Sequence, residues 1–404
     1  MRICTVLREY PPNFSGGGVH AVELIDALHQ QGHDVHIVAP LHGDRLYVPN
    51  EISGTPTANN IHDAAILSEL PEANIHLVGT TPRSGFGDLL REILRLHRGI
   101  RFDVVHIHFV SPLAILAGLI ESTNGPPTVV SAHGGDVYLL AGVAPSTLSA
   151  LAVPPAPFAA AVVSGLRAAH QVITVSEELR DFCVNLLGVR AERAQFMKHG
   201  IDFGRFDYRV DGTQVRAEQG IAREDPLVLF TGRLSREKGV SRLVDAMPLL
   251  VAHQPKTKLL VVGDGPERLA LESQAGALGV AHAVRFLGVL PYAVIPQYRA
   301  ASDVLVLPSL SEGTPVSVYE SFAMKRPVVA TAVGGMRDAI RDRVNGRIVG
   351  GKISEEIADT VGDLLDRPAE RQRLAETAFE DVKPLSWSKV AARVAAVYAE
   401  VQRS

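Results

Sequence analysis

The chain has 404 residues, 46% hydrophobic and 21% charged, ordinary proportions for a globular protein and a length that fits two domains of roughly 200 residues each. Its net charge of −4 gives no reason to expect nucleic-acid binding, and its two cysteines exclude a disulfide framework or a cysteine-rich zinc site. No apolar run reaches the roughly 18 uninterrupted residues of a membrane helix, and no basic-then-apolar leader precedes the first strand pattern, so a cytoplasmic location is expected.

Short β-rich runs alternate with helical patterns, the signature of βαβ units and parallel sheets. In the first half the strands are expected at Ile3–Arg8, Val35–Ala39, Ile75–Val78, Val104–His108, Thr128–Ala132 and Val172–Val175. In the second half they fall at Leu227–Thr231, Lys258–Val262, Val284–Leu287, Val304–Val306, Pro327–Thr331 and Arg347–Val349. Several are unbroken Val/Ile/Leu runs, as strands covered on both faces require. A polar stretch at Ile201–Asp225 divides the halves. The expected architecture is α/β, with domains at 1–200 and 201–384 and a C-terminal helix within 385–404. That helix, Trp387–Val401, puts Trp387, Val390, Val394, Val397, Tyr398 and Val401 on one face, a packing stripe expected to reach back across the domain interface. In doubly wound sheets ligands bind beyond the carboxyl ends of strands, so the motifs that follow strands carry the most information.

After the first strand, Gly16, Gly17 and Gly18 read as a nest of N–H groups with freedom to adopt φ > 0, opening a helix that runs through Leu28. They lack the Gly-x-Gly-x-x-Gly spacing of a dinucleotide site. His106 and His108 alternate on a strand as packing or rim residues. Ser131-Ala-His-Gly-Gly-Asp136 ends another strand, where His133 could bond a sugar or acceptor hydroxyl and Asp136 could orient it; a structural histidine is the plainer reading. Ala144–Phe158, with four prolines, reads as a loop or irregular insertion. His199 precedes the interdomain stretch and is a cleft or hinge residue.

In the second half, Gly232 ends a strand and Arg233 and Lys238 emerge on the following loop, with Arg236 solvated. Arginine grips phosphate oxygens bidentately and lysine adds a compact charge; isolated basic loop residues are more often simply solvated. Gly263, in Val-Gly-Asp-Gly, would let the backbone approach a nucleotide, although a strand-to-helix turn explains it as well. Leu290 would lie by the base. Ser309–Met324 follows a strand, with Thr314 as N-cap and Pro315 at the first helical position. The helix N-terminus at Gly313, Thr314, Pro315 and Val316 is a ready diphosphate site. Glu312 lies just before this helix and Glu320 inside it, so both can reach one elongated ligand.

No aspartate has another two positions away, so the Asp-x-Asp motif of metal-dependent sugar transferases is absent and no metal is expected. In this order the segments resemble the family-4 retaining glycosyltransferases of the GT-B fold, from Ser15 to about Gly350. The resemblance implies two facing Rossmann-like domains with an interdomain cleft. It implies a nucleoside diphosphate gripped by Arg233, Lys238 and amides after Glu312, with Glu320 on the ribose and Glu312 near the donor sugar. Gly16–Gly18 would serve the phosphate and acceptor side, with His133 near the sugar's outer hydroxyls. The expected reaction is retaining transfer of a hexose or N-acetylhexosamine from a UDP-sugar to a small polar hydroxyl acceptor. No cofactor is expected beyond that donor. The other readings are a non-catalytic nucleotide-sugar-binding protein and a sugar-nucleotide epimerase. Arg91, Arg95, Arg98 and Arg101 fall at near-helical spacing; the first 205 residues carry a net −5, which favours a solvated helix over membrane contact. Ser321-Phe-Ala-Met-Lys-Arg-Pro327 departs from the family's small residues, which leaves the acceptor open.

Overall fold

The computed structural model describes residues 1–8, 16–40, 74–79, 85–142, 156–313 and 315–403. These form two compact units: residues 1–200 with 387–403, and residues 201–386.

The first unit runs β1 (Arg2–Val6), α1 (Gly16–Gln30), β2 (Asp34–Pro40), β3 (Ile75–Val78), α2 (Gly85–Ile100), β4 (Val104–His108), α3 (Ile115–Ser122), β5 (Thr128–Ala132), α4 (Gly135–Leu140), α5 (Ala156–Ala168), β6 (Gln171–Thr174), α6 (Glu177–Asn185) and β7 (Ala194–Phe196). All pairings are parallel, in the order β3-β2-β1-β4-β5-β6-β7. Successive strand residues point to opposite faces. Ile3, Val104 and Val129 pack on one face with α1, while Cys4, Val105 and Val130 pack on the other with α2, α3 and α5.

The second unit runs α7 (Thr213–Glu218), β8 (Leu227–Thr231), α8 (Val240–His253), β9 (Lys258–Val262), α9 (Arg268–Ala277), β10 (Val284–Gly288), α10 (Ile295–Ala301), β11 (Val304–Leu307), α11 (Val316–Ala323), β12 (Val328–Thr331), α12 (Met336–Ala339), β13 (Arg347–Val349), α13 (Ile353–Asp366) and α14 (Pro368–Val382). Its sheet order is β10-β9-β8-β11-β12-β13, again all parallel. The chain then returns to the first unit as α15 (Trp387–Val401), whose Val390, Val394, Val397, Tyr398 and Val401 are buried in the α1 face of the sheet. Each such side chain contributes about 1.5–3 kcal/mol of burial. Among the described residues no helix is long and apolar enough to cross a membrane.

Four local expectations change. The glycines at 16–18 are the first turn of α1 and not a loop before it, and none of them is among the residues with positive φ. The polar stretch at 201–225 contains α7 and contributes Ile201, Phe206, Val215 and Ile221 to the second core. Of the proline-rich insertion, residues 143–155 lie outside the described residues, while Ala156, Pro157 and Phe158 begin α5. Arg101 sits past the end of α2 with φ 61°, whereas Arg91 and Arg95 pair with Asp88 and Glu92 one turn back on an exposed face. The Lys-Arg departure at 325–326 has a packing reason: Arg326 donates to the carbonyls of Arg299 and Ala300, 3.1 and 2.7 Å away, and caps the end of α10.

The loops after β8 and β9 touch backbone to backbone. Gly263 has φ 130°, and a Cβ there would lie 1.9 Å from the carbonyl oxygen of Gly232. The glycine at 263 is therefore required by the neighbouring loop, whatever else approaches it. Gly263→Ala is expected to lower stability by about 2 kcal/mol or more. Gly276→Ala, on an open helical site with nothing within 4 Å, should raise it by about 0.5–1 kcal/mol. Paired thermal melts compare the two; equal, small shifts would contradict the packing described.

Candidate active site

Both sheets reverse their strand order once, between β1 and β4 and between β8 and β11. Loops leaving adjacent strands in opposite directions open a crevice at such a point.

In the second unit that crevice is lined by the residues after β8 and after β11. Lys238 closes the 3-10 turn at Arg236–Lys238. Its Nζ donates to Glu312 Oε2 at 2.6 Å, and both side chains are largely covered, 25% and 14% exposed. Ser309 Oγ donates to the same carboxylate oxygen at 3.4 Å. Arg233 is the more exposed cation and lies 3.9 Å from Glu237 Oε1, whose oxygen also accepts from Ser235 Oγ. The structure thus brings Lys238 and Glu312 together, with Arg233 at the rim of the same loop. Arg236 is exposed.

Helix α11 starts at Val316 with Pro315 in the capping position, one residue later than expected. The Pro315 carbonyl accepts from the amides of Val318 and Tyr319, so Pro315 contributes an acceptor while its fixed φ suits the entry to the helix. The amides of Val316 and Ser317 have no acceptor within the helix. Thr314 lies outside the described residues, and Gly313 is half-buried. Glu320 is 5% exposed. One of its oxygens, Oε2, accepts from Arg299 Nη2; the other, Oε1, accepts from the Tyr292 hydroxyl at 2.5 Å. Arg299 is itself fully buried and also donates to Ser321 Oγ at 2.8 Å and Thr231 Oγ1 at 3.3 Å. Thr231 ends β8 and bonds Ser317 Oγ at 3.2 Å. A network therefore ties β8, α10 and the first turns of α11 together. Sequence reasoning missed Arg299 and Tyr292, although an arginine among the apolar residues of Tyr298-Arg-Ala-Ala301 was a visible signal. Gly232 donates its amide to Val262 at 3.0 Å, and Leu290 is partly buried against the core.

In the first unit the crevice is lined by imidazoles. His20 of α1 and His199 beyond β7 face each other at 2.9 Å through their Nδ1 atoms. His108 Nδ1 and His133 Nε2 lie 3.2 Å apart. His106, one pleat back from His108, contacts the Tyr398 hydroxyl of α15 at 2.6 Å and Ser131 Oγ at 2.8 Å. Burial pushes His20 down to about 4 and His106 to about 3, and holds His108, His133 and His199 well below the usual histidine range. In each case loss of solvent is the largest cause, so all five rings are neutral near pH 7. His133 Nδ1 is sheltered from solvent with no partner among the described residues, so it offers a hydrogen bond to an arriving hydroxyl. Gly17 packs beneath it: a Cβ there would lie 2.7 Å from the Phe109 ring and 3.1 Å from His133 Cβ. Gly16 opens the helix and Gly18 sits in the same turn, so these glycines give close approach and not a left-handed nest. Asp136 is the second residue of α4, and its side chain lies outside the described residues. Among the described residues no group of three His, Cys, Asp or Glu side chains is placed to hold a metal ion.

Two parallel α/β units, with Lys238 and Glu312 at one switch point and a cluster of imidazoles at the other, have the architecture of the GT-B glycosyltransferase class. The sequence matches the family described as Glycosyl transferases group 1 over residues 211–381 and Glycosyltransferase Family 4 over residues 14–205. It is 30% identical to the glycogen synthase of Mycobacterium tuberculosis over the whole of this chain and 95% of that one. It is also 30% identical to the alpha-D-kanosaminyltransferase of Streptomyces kanamyceticus, covering 82% of this chain and 85% of that one. The crystal structure of Anabaena HepE in complex with UDP and glucose superposes with a TM-score of 0.77 at 19% identity, covering 99% of this chain and all of that one. The chain belongs to the family-4, group-1 glycosyltransferases.

The histidine cluster predicts acid sensitivity. Unfolded histidines take up protons below pH 6.5, whereas folded His20 and His106 resist until about 4 and about 3, and His108, His133 and His199 are held in the same direction. Stability is therefore lost as pH falls from 6.5 toward 4, by on the order of 1–2 kcal/mol for each of His20 and His106 by pH 5. Urea unfolding at pH 7.5 and 5.0 measures this; an unchanged midpoint would contradict the buried, neutral assignment. In the second unit, Arg299→Met strands a buried carboxylate and is expected to cost about 3–5 kcal/mol, most of it recovered in the Arg299→Met, Glu320→Leu double variant. Equal losses in single and double variants would show that the ion pair itself supplies the stability.

Proposed function

We propose that this glycosyltransferase takes a hexose or N-acetylhexosamine from a nucleoside diphosphate sugar, a UDP-sugar first, and passes it with retention of configuration to a hydroxyl of a small polar acceptor, without a metal ion. The observation that carries this reading is the meeting of Lys238 and Glu312 where β8 and β11 part. It places a cation suited to a diphosphate beside a carboxylate suited to a sugar hydroxyl. HepE, which shares the fold, is seen with UDP and glucose, ligands of the chemistry proposed here.

Arg233, Lys238 and the open amides of α11 would hold the diphosphate, and Glu320 would accept hydroxyls of the ribose. Glu312 and His133 would bond hydroxyls of the transferred sugar. As the anomeric carbon–oxygen bond breaks, negative charge grows on the diphosphate, and fixed cations there lower the barrier. The acceptor oxygen bonds the anomeric carbon on the face the diphosphate leaves, and its proton passes to a diphosphate oxygen. Cationic side chains do the work that a divalent ion performs in Asp-x-Asp enzymes. The neutral imidazole of His133 can orient a hydroxyl without adding a charge beside the developing oxocarbenium.

The test is nucleoside diphosphate release from UDP-, GDP- and ADP-sugars in EDTA, with and without a mixed pool of small polyols, aminocyclitols and glucans. Release that rises with acceptor and ignores EDTA is expected, with the released product in the donor's anomeric configuration. Arg233→Ala and Lys238→Ala should each lower kcat by about 10²–10³, whereas His133→Ala should retain more activity than either. Release abolished by EDTA would overturn the metal-free reading.

A further inference from the structure

Glu320 is a buried carboxylate with a defined number of filled positions. An ionised carboxylate has about four acceptor positions, two on each oxygen. Among the described residues, Arg299 fills one on Oε2 and Tyr292 fills one on Oε1. One position is left on each of the two neighbouring oxygens of a group with only 5% exposure. Two adjacent acceptors on one rigid carboxylate match two vicinal hydroxyls.

The two donors are themselves held. Arg299 is fixed by Thr231 and Ser321 as well as by Glu320, and it is fully buried. The Tyr292 ring is gripped on its faces and edges, with Arg205 Cζ 4.9 Å from its centroid and the Phe206 ring at 5.5 Å. Tyr292 lies just beyond β10, in the segment that carries Leu290, while Arg299 comes from α10. The carboxylate is therefore oriented by two elements outside its own helix.

We propose that Arg299 and Tyr292 are positioning residues that turn Glu320 into a two-point acceptor for the vicinal hydroxyls of the donor's ribose, and so set selection for ribo- over deoxyribonucleotides. This rests on the reading of Glu320 as the ribose contact. Arg299 keeps the carboxylate in one rotamer. Tyr292 supplies the discriminating part: with its hydroxyl in place, a ligand that lacks one ribose hydroxyl leaves a buried acceptor position empty. Without that hydroxyl the carboxylate turns more freely and regains the partner it lacks from solvent or from the remaining ribose hydroxyl.

The experiment is calorimetric binding of UDP, GDP and ADP, then of the 2′-deoxy and 3′-deoxy forms of whichever binds, to the full-length protein and to Tyr292→Phe. The quantity read is the ratio of deoxy to ribo dissociation constants. It is internal to each protein, so a fraction of unfolded variant cancels. The wild type should disfavour the deoxy ligands by about tenfold or more, the effect of leaving a charged acceptor unpaired. In Tyr292→Phe the ratio should fall at least threefold with the melting temperature within a few degrees. Arg299→Lys, which keeps the charge but loses the fork, should compress the ratio in the same direction. An unchanged ratio in Tyr292→Phe beside strong wild-type discrimination would overturn the positioning role and leave the ribose contact standing. No discrimination in the wild type would remove the ribose contact, and this inference with it.

Discussion

Every pairing between the described strands β1–β13 is parallel, and that constraint determines where chemistry can collect. A parallel sheet sends the carboxyl ends of all its strands to one edge, so the loops that follow them crowd together. Where the strand order reverses, two of those loops diverge and leave room. The crowding is visible in Gly263, whose missing Cβ admits the carbonyl of Gly232. The room is occupied by Lys238 and Glu312 in one unit and by His20, His108 and His133 in the other. Residues far apart in sequence meet at these edges because the topology leaves their loops nowhere else to go.

The two edges solve opposite electrostatic problems. In the second unit, charge is buried and then compensated: Arg299 and Glu320 neutralise each other, hydroxyls of Thr231 and Ser321 accept from Arg299, and the Tyr292 hydroxyl donates to Glu320. Such a pair gives little net stability, since desolvation offsets attraction, but it fixes geometry because either charge alone would be severely penalised. In the first unit five imidazoles are packed closely: charging any one is disfavoured by burial, and for His106, His108, His133 and His199 by neighbouring rings as well. They act there as neutral donors and acceptors, linked through Tyr398 to the helix that returns from the end of the chain.

How much of this could be read from the sequence depended on whether the signal was local. Twelve of the strands were legible because buried parallel strands are short unbroken Val/Ile/Leu runs. The strand at Ala194–Phe196 was not: it has three residues, only one of them buried, and a partner on one side alone. Glu312 and Glu320 stood out by their place after a strand. Their partners did not, because Tyr292 and Arg299 are joined to Glu320 by folding and by no spacing. The glycines at 16–18 show the same limit. A Gly-Gly-Gly run is equally compatible with a loop and with a helix start, and what requires a glycine at 17 is the Phe109 ring and His133, about a hundred residues away. Likewise Ile201, Phe206, Val215 and Ile221 are core residues at irregular spacings, so no period betrays them.

The difference between the two edges has a chemical consequence for a group-transfer enzyme of this family. In the proposed reaction a leaving diphosphate needs fixed positive charge, and Arg233 and Lys238 carry it on the loop after β8, the strand whose last residue, Thr231, is held by Arg299. A sugar passing through an electron-poor anomeric carbon is harmed by nearby positive charge but still needs its hydroxyls held. Under the proposed function, histidines kept neutral by burial meet both requirements, because a neutral ring can bond a hydroxyl without carrying charge near pH 7. On this view the low proton affinity of His133, set first by burial and then by His20, His106, His199 and Arg8, is a functional property. The contact of Tyr398 with His106 then ties α15 to the same imidazole cluster.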